Sequence, residues 1–294
     1  MSKILITGSE GFIGKHLYNS LKSKGHILVG LDLKNGNDLK NKNYVDSLDE
    51  DFDYIFHLAA YNGTKWFYEK PIDVIRDNIF ATENILSKFS GKVKKIIFSG
   101  TCESYVGSTD FFNYPIPTNE DVPLSIPDPQ NLRWSYGGSK LLNEIMVWAY
   151  AKEFTQDMLI LRYHNVYGPN QVDHFIPDFI ERVKQKKYNL YGYEDTRSFI
   201  YIDDAVEITE RISFDNKSNN LVVNIGTDDE IKILDVAKKI MKIYDIDPSF
   251  LELENSPEGS TKRRCPNVDL QNSFIGNYRF TSLQEGLTKI IKNL

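Results

Sequence analysis

Cysteine is scarce. The 294-residue chain has two, Cys102 and Cys265, too few for a disulfide framework or a zinc set. Its five histidines show no ligand spacing such as H-E-x-x-H, so no metal site is expected. Positive charge is in deficit. The net charge of −6 argues against general nucleic-acid or anionic-membrane binding and leaves room only for a small local basic pocket. No apolar run approaches the length of a membrane span. The opening Met-Ser-Lys-Ile-Leu-Ile-Thr-Gly is too short an apolar stretch for a signal peptide, so the expected compartment is the cytoplasm. Asn62-Gly-Thr and Asn216-Lys-Ser match the glycosylation pattern and, without a secretion signal, read as chance. Internal repeats and low-complexity segments are also missing.

What is present is an alternation. Residues 3–7, 26–31, 54–58, 95–99 and 158–162 are short continuous apolar runs that read as buried strands. Helical patterns lie between them, to about Lys24, over 73–89 and over 134–154. Continuous apolar strands alternating with helices predict a doubly wound parallel sheet covered on both faces, a Rossmann-type α/β fold with a smaller C-terminal part. Beyond Arg162 the alternation is less regular. Residues 199–202 and 221–225 suit strands returning to the sheet, and 174–187, 231–243 and 281–293 suit helices. The Pro-, Asn- and Asp-rich stretch 107–131 reads as a long loop over the site. No linker composition marks a boundary, so the expected division is interleaved: 1–166 plus about 199–226 for a dinucleotide, about 167–198 plus 227–294 for a substrate.

Two constellations carry chemistry. Gly8, Gly11 and Gly14 follow the first strand and open a helix. They permit a tight turn, a close approach of backbone to a pyrophosphate, and helix–strand packing. Asp32 closes the second strand, where its carboxylate can accept ribose hydroxyls and repel a 2′-phosphate, favouring NAD over NADP. Tyr136 and Lys140 stand four residues apart, on one face of a helix. An ammonium there favours the phenolate and lowers the Tyr136 pKa, preparing a base for a sugar hydroxyl.

Taken in order, these motifs resemble the extended short-chain dehydrogenase/reductase superfamily, in its nucleotide-sugar epimerase/dehydratase branch. The resemblance rests on Thr7 to Gly14, His57-Leu-Ala-Ala60, Tyr136-x-x-x-Lys140, Leu161-Arg-Tyr-His-Asn-Val-Tyr-Gly-Pro169 and Arg197-Ser-Phe-Ile-Tyr-Ile-Asp-Asp204. It implies NAD contacts from Gly8, Gly11, Phe12, Ile13 and Gly14, and from Asp32, Asp38 and Leu39. Further cofactor contacts are implied for Leu58, Ala59, Ala60, Asn78, Ser99, Tyr136, Lys140, Tyr163 and Val166. Substrate contacts are implied for Asn62, Thr64, Thr101, Cys102 and Glu103, and for Asn165, Phe175, Tyr191, Arg197 and Arg264. Arg197 and Arg264 would pair with a sugar diphosphate, as planar guanidinium forks do.

The resemblance also implies a reaction. Thr101, Glu103, Tyr136 and Lys140 would be catalytic, acting on a nucleotide-diphosphate sugar through a transient 4-keto sugar, with NAD recycled. Thr101 and Glu103 fall where 4,6-dehydratases and UDP-glucuronate decarboxylases carry Thr and Glu. Cys102 replaces the Asp that protonates the leaving hydroxyl in dehydratases. Segments 62–71, 222–231 and 257–264 lean instead toward GDP-mannose 3,5-epimerases, which carry Cys at the Glu103 position. A 4-epimerase, a 4-ketoreductase consuming NADH or NADPH, and a silent dinucleotide sensor remain as other readings. A homodimer through paired helices including 134–154 is implied as well.

Overall fold

The computed structural model describes residues 1–49, 51–256 and 259–292. The first half runs β1 (Lys3–Thr7), α1 (Phe12–Ser23), β2 (Ile27–Leu31), α2 (Lys42–Asp46), β3 (Tyr54–His57), α3 (Thr64–Glu69), α4 (Pro71–Phe89) and β4 (Lys95–Thr101). It continues through α5 (Val106–Asp110), α6 (Ser135–Phe154) and β5 (Met158–Tyr163). The second half holds β6 (Val166–Tyr167), α7 (Phe175–Lys184), β7 (Asn189–Tyr191), β8 (Thr196–Arg197), β9 (Ile200–Tyr201), α8 (Ile202–Phe214) and β10 (Leu221–Ile225). It closes with β11 (Ile231–Lys232), α9 (Ile233–Ile243), β12 (Glu252–Glu254), β13 (Arg263–Arg264), α10 (Asp269–Ile275) and α11 (Leu283–Lys292).

Six strands form one sheet in the order β10-β5-β4-β3-β1-β2, every neighbour parallel. The alternation of side chains along each strand divides the apolar residues between two cores. Ile4, Ile6, Phe56, Ile97, Leu159 and Leu161 face one core with Leu17 and Leu21 of α1 and Ala205, Ile208 and Ile212 of α8. Leu5, Ile55, Ile96, Phe98 and Ile160 face the other, against Ile85, Leu86 and Phe89 of α4 and Val147 of α6. Burying each such side chain contributes about 1.5–3 kcal/mol. Among the described residues no helix is long and apolar enough to cross a membrane.

The expected fold class is the one observed, with local differences. Residues 199–202 do not return to the main sheet. Ile200 and Tyr201 pair with Val166 and Tyr167 in a separate parallel ribbon, and Ile202 starts α8. Asp203 and Asp204 in that helix's first turn suit a positive helix N-terminus. The stretch 107–131 begins with α5 and is pinned to the body: Val122 is buried, and Thr118 N–H donates to the Cys265 carbonyl at 3.0 Å. Residues 257–258 of the segment 257–264, and residue 293 of the helix expected over 281–293, lie outside the described residues.

Candidate active site

Thr7, His57, Thr101 and Tyr163 end their strands on one edge of the sheet, the edge where open α/β sheets place their ligands. The glycine turn is built for close contact. Gly8 has φ +72°, and a Cβ there would lie 2.8 Å from the Ala59 nitrogen. A Cβ on Gly14 would lie 2.0 Å from the Gly8 carbonyl oxygen, so the third glycine lets α1 pack against the turn. Helix α1 has no side-chain cap and no acidic residue in its first turn, leaving its N–H groups and dipole to an anion. Asp32 accepts from the Glu10 N–H at 3.0 Å and the Lys34 N–H at 2.9 Å, which fixes its carboxylate beside the turn. These features fit the pyrophosphate and ribose of a dinucleotide.

Behind the turn runs a buried polar chain. Thr7 Oγ1 lies 2.8 Å from His57 Nδ1, and His57 Nε2 lies 3.0 Å from Thr82 Oγ1. Burial and the charge of Lys140 pull the His57 pKa down to about 3, so this imidazole is neutral. Asn78 donates to Ser139 Oγ at 3.0 Å and accepts from the Tyr61 N–H at 2.6 Å. Its side chain therefore ties α4 to α6 and acts on the cofactor side through the backbone it holds. Leu39 and Val166 are core residues. The Tyr163 hydroxyl pairs with Thr209 Oγ1 at 2.9 Å. Asp38 accepts the Lys40 N–H at 3.0 Å, Phe12, Ile13 and Leu58 pack partly buried on the first core, and Ala60 is exposed.

Tyr136 and Lys140 both lie in the first two turns of α6. The phenol stacks on Phe67 with ring centroids 5.2 Å apart and takes a hydrogen bond from Thr101. Lys140 is buried. Its Nζ donates to the Ser99 carbonyl at 2.7 Å, lies 3.2 Å from Ser99 Oγ and sits 4.5 Å from the Phe98 ring centre. The sequence reading expected Lys140 to lower the Tyr136 pKa. The protein's own groups do the reverse: burial, then the charge of Glu103, push the phenol well above its ordinary value, and only Thr101 opposes them. Lys140 is itself drawn down to about 7 by burial, against the favourable charge of Glu144. Its ammonium faces Ser99 and the ring of Phe98.

Glu103 is bracketed by two guanidinium groups. Its Oε1 accepts from Arg133 Nη2 at 3.2 Å and from Arg264 Nη1 at 3.3 Å, and all three side chains are 10–13% exposed. Burial raises its pKa, but the charges of Arg133, Arg264 and His174 outweigh that and hold the carboxyl below its usual value. Three buried atoms here have no partner among the described residues: Glu103 Oε2, Arg133 Nη1 and Arg264 Nε. Gly137 allows the approach of α6, because a Cβ there would lie 2.9 Å from the Glu103 carbonyl oxygen. The Arg133 Nε also donates to the Gly259 carbonyl at 3.3 Å, joining the C-terminal part to the start of α6.

Arg264 and Arg197 are register partners on the parallel strands β13 and β8. Like charges in adjacent positions repel. Burial and the charge of Arg264 draw the Arg197 pKa down to about 10, so an anion set beside Arg197 would favour its charged form. Cys102 packs with Tyr105 and Val122 within electrostatic reach of Thr101, Glu103 and Arg264, and burial raises its thiol pKa. Not every candidate converges here. Asn165 Nδ2 donates to the Ser198 carbonyl at 2.8 Å, Phe175 stacks on Phe179, and Tyr191 is exposed. Asn62 and Thr64 are exposed at the head of α3. Arg133 and His174 were missed. Arg133 carried a signal, standing one helical turn before Tyr136.

The sheet order, the uncapped glycine turn and the Tyr136–Lys140 pair define a dinucleotide-dependent enzyme of the short-chain dehydrogenase/reductase type. A sequence model of the NAD-dependent epimerase/dehydratase family matches residues 4–226; the chain belongs to that family, and its cofactor is NAD. It is 35% identical over 265 residues to UDP-N-acetyl-alpha-D-glucosaminuronate decarboxylase of Bacillus cytotoxicus, covering 82% of this chain and 80% of the relative. It is 35% identical over 275 residues to dTDP-D-glucose 4,6-dehydratase of Dictyostelium discoideum, covering 83% of this chain and 62% of that protein. Among solved structures, UDP-glucuronic acid 4-epimerase from Bacillus cereus, in complex with UDP-glucuronic acid and NAD, superposes with a TM-score of 0.84 at 28% identity. That match covers 99% of this chain and 98% of the other.

Proposed function

We propose that this enzyme acts on a nucleotide-diphosphate sugar carrying a carboxylate and removes that carboxylate through a transient 4-keto sugar. The carrying observation is the Glu103 carboxylate held ionised between Arg133 and Arg264 beside Tyr136. A carboxylate so stabilised is a weak base. The position that serves as acid in dehydratases holds Cys102, a buried thiol whose pKa is raised by that burial. Removal of a C5 proton and expulsion of a hydroxyl are therefore poorly served. Decarboxylation of a 4-keto uronate needs no base at C5, because the ketone accepts the electron pair of the breaking carbon–carboxylate bond. The unpartnered Arg133 Nη1 and Arg264 Nε suit a substrate carboxylate, and Glu103 Oε2 suits a sugar hydroxyl. Identity to the Bacillus cytotoxicus decarboxylase supports this reading.

In this scheme Tyr136 takes the proton of the C4 hydroxyl, assisted by the hydrogen bond from Thr101. NAD, which the Gly8–Gly14 turn and Asp32 would hold, would supply hydride chemistry at C4. Lys140 orients the nicotinamide side through Ser99, and Arg197 holds the diphosphate. The division into a cofactor part (1–166 plus 199–226) and a substrate part (167–198 plus 227–294) follows from these roles. The outer faces of α4 and α6 expose Ile72, Ile75, Phe80, Leu142 and Ile145, an apolar surface suited to a second copy. The test is incubation with UDP-glucuronate, UDP-N-acetylglucosaminuronate, UDP-glucose and dTDP-glucose, read by mass spectrometry and NMR. Loss of CO₂ from a uronate is expected. Loss of water from a neutral sugar, or inversion at C4 without mass change, would refute the decarboxylase reading.

A further inference from the structure

A carboxylate at Asp32 suits ribose hydroxyls and repels a 2′-phosphate, yet a cation is held beside it. The turn after β2 does the holding. Asp32 caps the short turn Leu33–Asn35. Its Oδ1 accepts the Lys34 N–H at 2.9 Å, and its own N–H donates to Asn37 Oδ1 at 3.3 Å. Its carbonyl accepts the Asn35 and Asn37 N–H groups at 3.0 and 3.1 Å. Gly36 completes the turn at φ +83°, a left-handed backbone that glycine adopts freely. The turn is thus folded back on one aspartate.

From there the Lys34 side chain reaches across to the glycine turn. Its Nζ donates to the Glu10 carbonyl at 3.0 Å, while Asp32 Oδ2 accepts the Glu10 N–H at 3.0 Å. Carboxylate and ammonium hold the two backbone groups of one residue, so they stand no more than about 10 Å apart. The Glu10 carbonyl is the only acceptor of the Lys34 ammonium among the described residues. An ammonium has further protons to give. The other charges around the turn are already answered: Glu10 by Lys15 at 3.7 Å, and Asp38 and Asp77 by Lys40 and Arg76.

We propose that Lys34 is a second determinant of cofactor choice: its ammonium is placed to bind the 2′-phosphate of NADP, and the Asp32 carboxylate keeps that phosphate out. Preference for NAD is then a contest between two neighbouring side chains. Lysine binds phosphate as a point charge, so it needs no exact orientation to do so. Removing the Asp32 charge leaves a cation already held at the glycine turn by its bond to Glu10. A single substitution at Asp32 should therefore turn the cofactor preference toward NADP without any new basic residue.

The test titrates the full chain with NADH and NADPH and reads binding from nicotinamide fluorescence, without turnover. The proteins are the unaltered enzyme, Asp32→Ser, Asp32→Asn, and each Asp32 variant combined with Lys34→Met, all with thermal melts recorded. Asp32→Ser should bind NADH about tenfold more weakly, having lost charged hydrogen bonds, and NADPH about tenfold or more tightly. Adding Lys34→Met should weaken NADPH by about tenfold and NADH by less than about threefold. Asp32→Asn keeps the shape of the cap and carries the same comparison should the serine variant fail to fold. NADPH binding in a double variant within about threefold of its Asp32 parent overturns the role of Lys34. A folded Asp32 variant that gains nothing for NADPH overturns the proposal as a whole. No sugar is present, so either failure leaves the decarboxylase reading untouched.

Discussion

Glu144 and Arg162 form an ion pair inside the protein, and removing one partner should be far more damaging than removing both. Their side chains are 2% and 4% exposed. Arg162 Nε lies 3.2 and 3.3 Å from the two Glu144 oxygens, and Nη2 donates to Oε2 at 2.9 Å. In Glu144→Met, Arg162 keeps only its bond from Nη1 to the Glu120 carbonyl at 2.8 Å. An uncompensated buried charge of this kind costs about 3–5 kcal/mol. At ~2.1 cal/mol/K per residue the whole chain has an unfolding entropy of roughly 0.6 kcal/mol/K, so the melting point should fall by about 5–8 °C. The double variant Glu144→Met/Arg162→Met replaces the pair by apolar side chains and should recover to within ~1 kcal/mol of the parent. Thermal melts and urea titrations of the three proteins make the comparison. A single variant that loses under ~1 kcal/mol, or a double variant no more stable than the single, refutes the reasoning.

Other outcomes are equally direct. Gly14→Ala should weaken NAD binding at least tenfold by calorimetric titration, because its Cβ would stand 2.0 Å from the Gly8 carbonyl oxygen and must push the turn away from the pyrophosphate. Lys140 has a folded-state pKa near 7 against an ordinary 10.5. Between those values the unfolded chain binds more protons than the folded one, so this group makes stability rise with pH across that window. Urea midpoints at pH 7 and pH 9 should differ less in Lys140→Met than in the parent. Glu103 acts with the same sign, in the acid range. Its contribution is fully present above the ordinary value of 4.5 and is lost as pH falls through the lower folded-state value, and Glu103→Gln should blunt that acid loss in the same assay. The proposed pairing of two copies through α4 and α6 predicts that Ile145→Glu, on the exposed face of α6, lowers the mass read by light scattering while the circular dichroism spectrum is kept.

The main sheet was legible because its strands are buried on both faces and so appear as unbroken apolar runs. The glycine turn, Asp32 and the Tyr136–Lys140 pair were legible because each is a local pattern whose geometry follows from its spacing. The pieces that depend on distant partners were not. Phe199-Ile-Tyr-Ile202 looks like one strand, yet its last residue is claimed by α8, and the rest pairs with the short ribbon at Val166. Arg264 was expected on a diphosphate; its carboxylate partner Glu103 lies 161 residues away, beyond any local pattern. Lys140 was expected to tune Tyr136, but burial dominates both groups, and burial is a property of the assembled core.

The bond from Arg133 to Gly259, and those from Arg264 to Glu103 and Thr261, have a consequence for how the enzyme comes into being. The parallel sheet is complete once Ile225 has been made, and with it the dinucleotide cradle. The arm bearing Arg264 follows about forty residues later, a delay of roughly 2–8 s at ordinary rates of synthesis. During that interval the nascent chain can fold around NAD while Glu103 and Arg133 still lack their third partner. Synthesis order thus allows the cofactor cradle to form before the arm bearing Arg264 completes the pocket around Glu103.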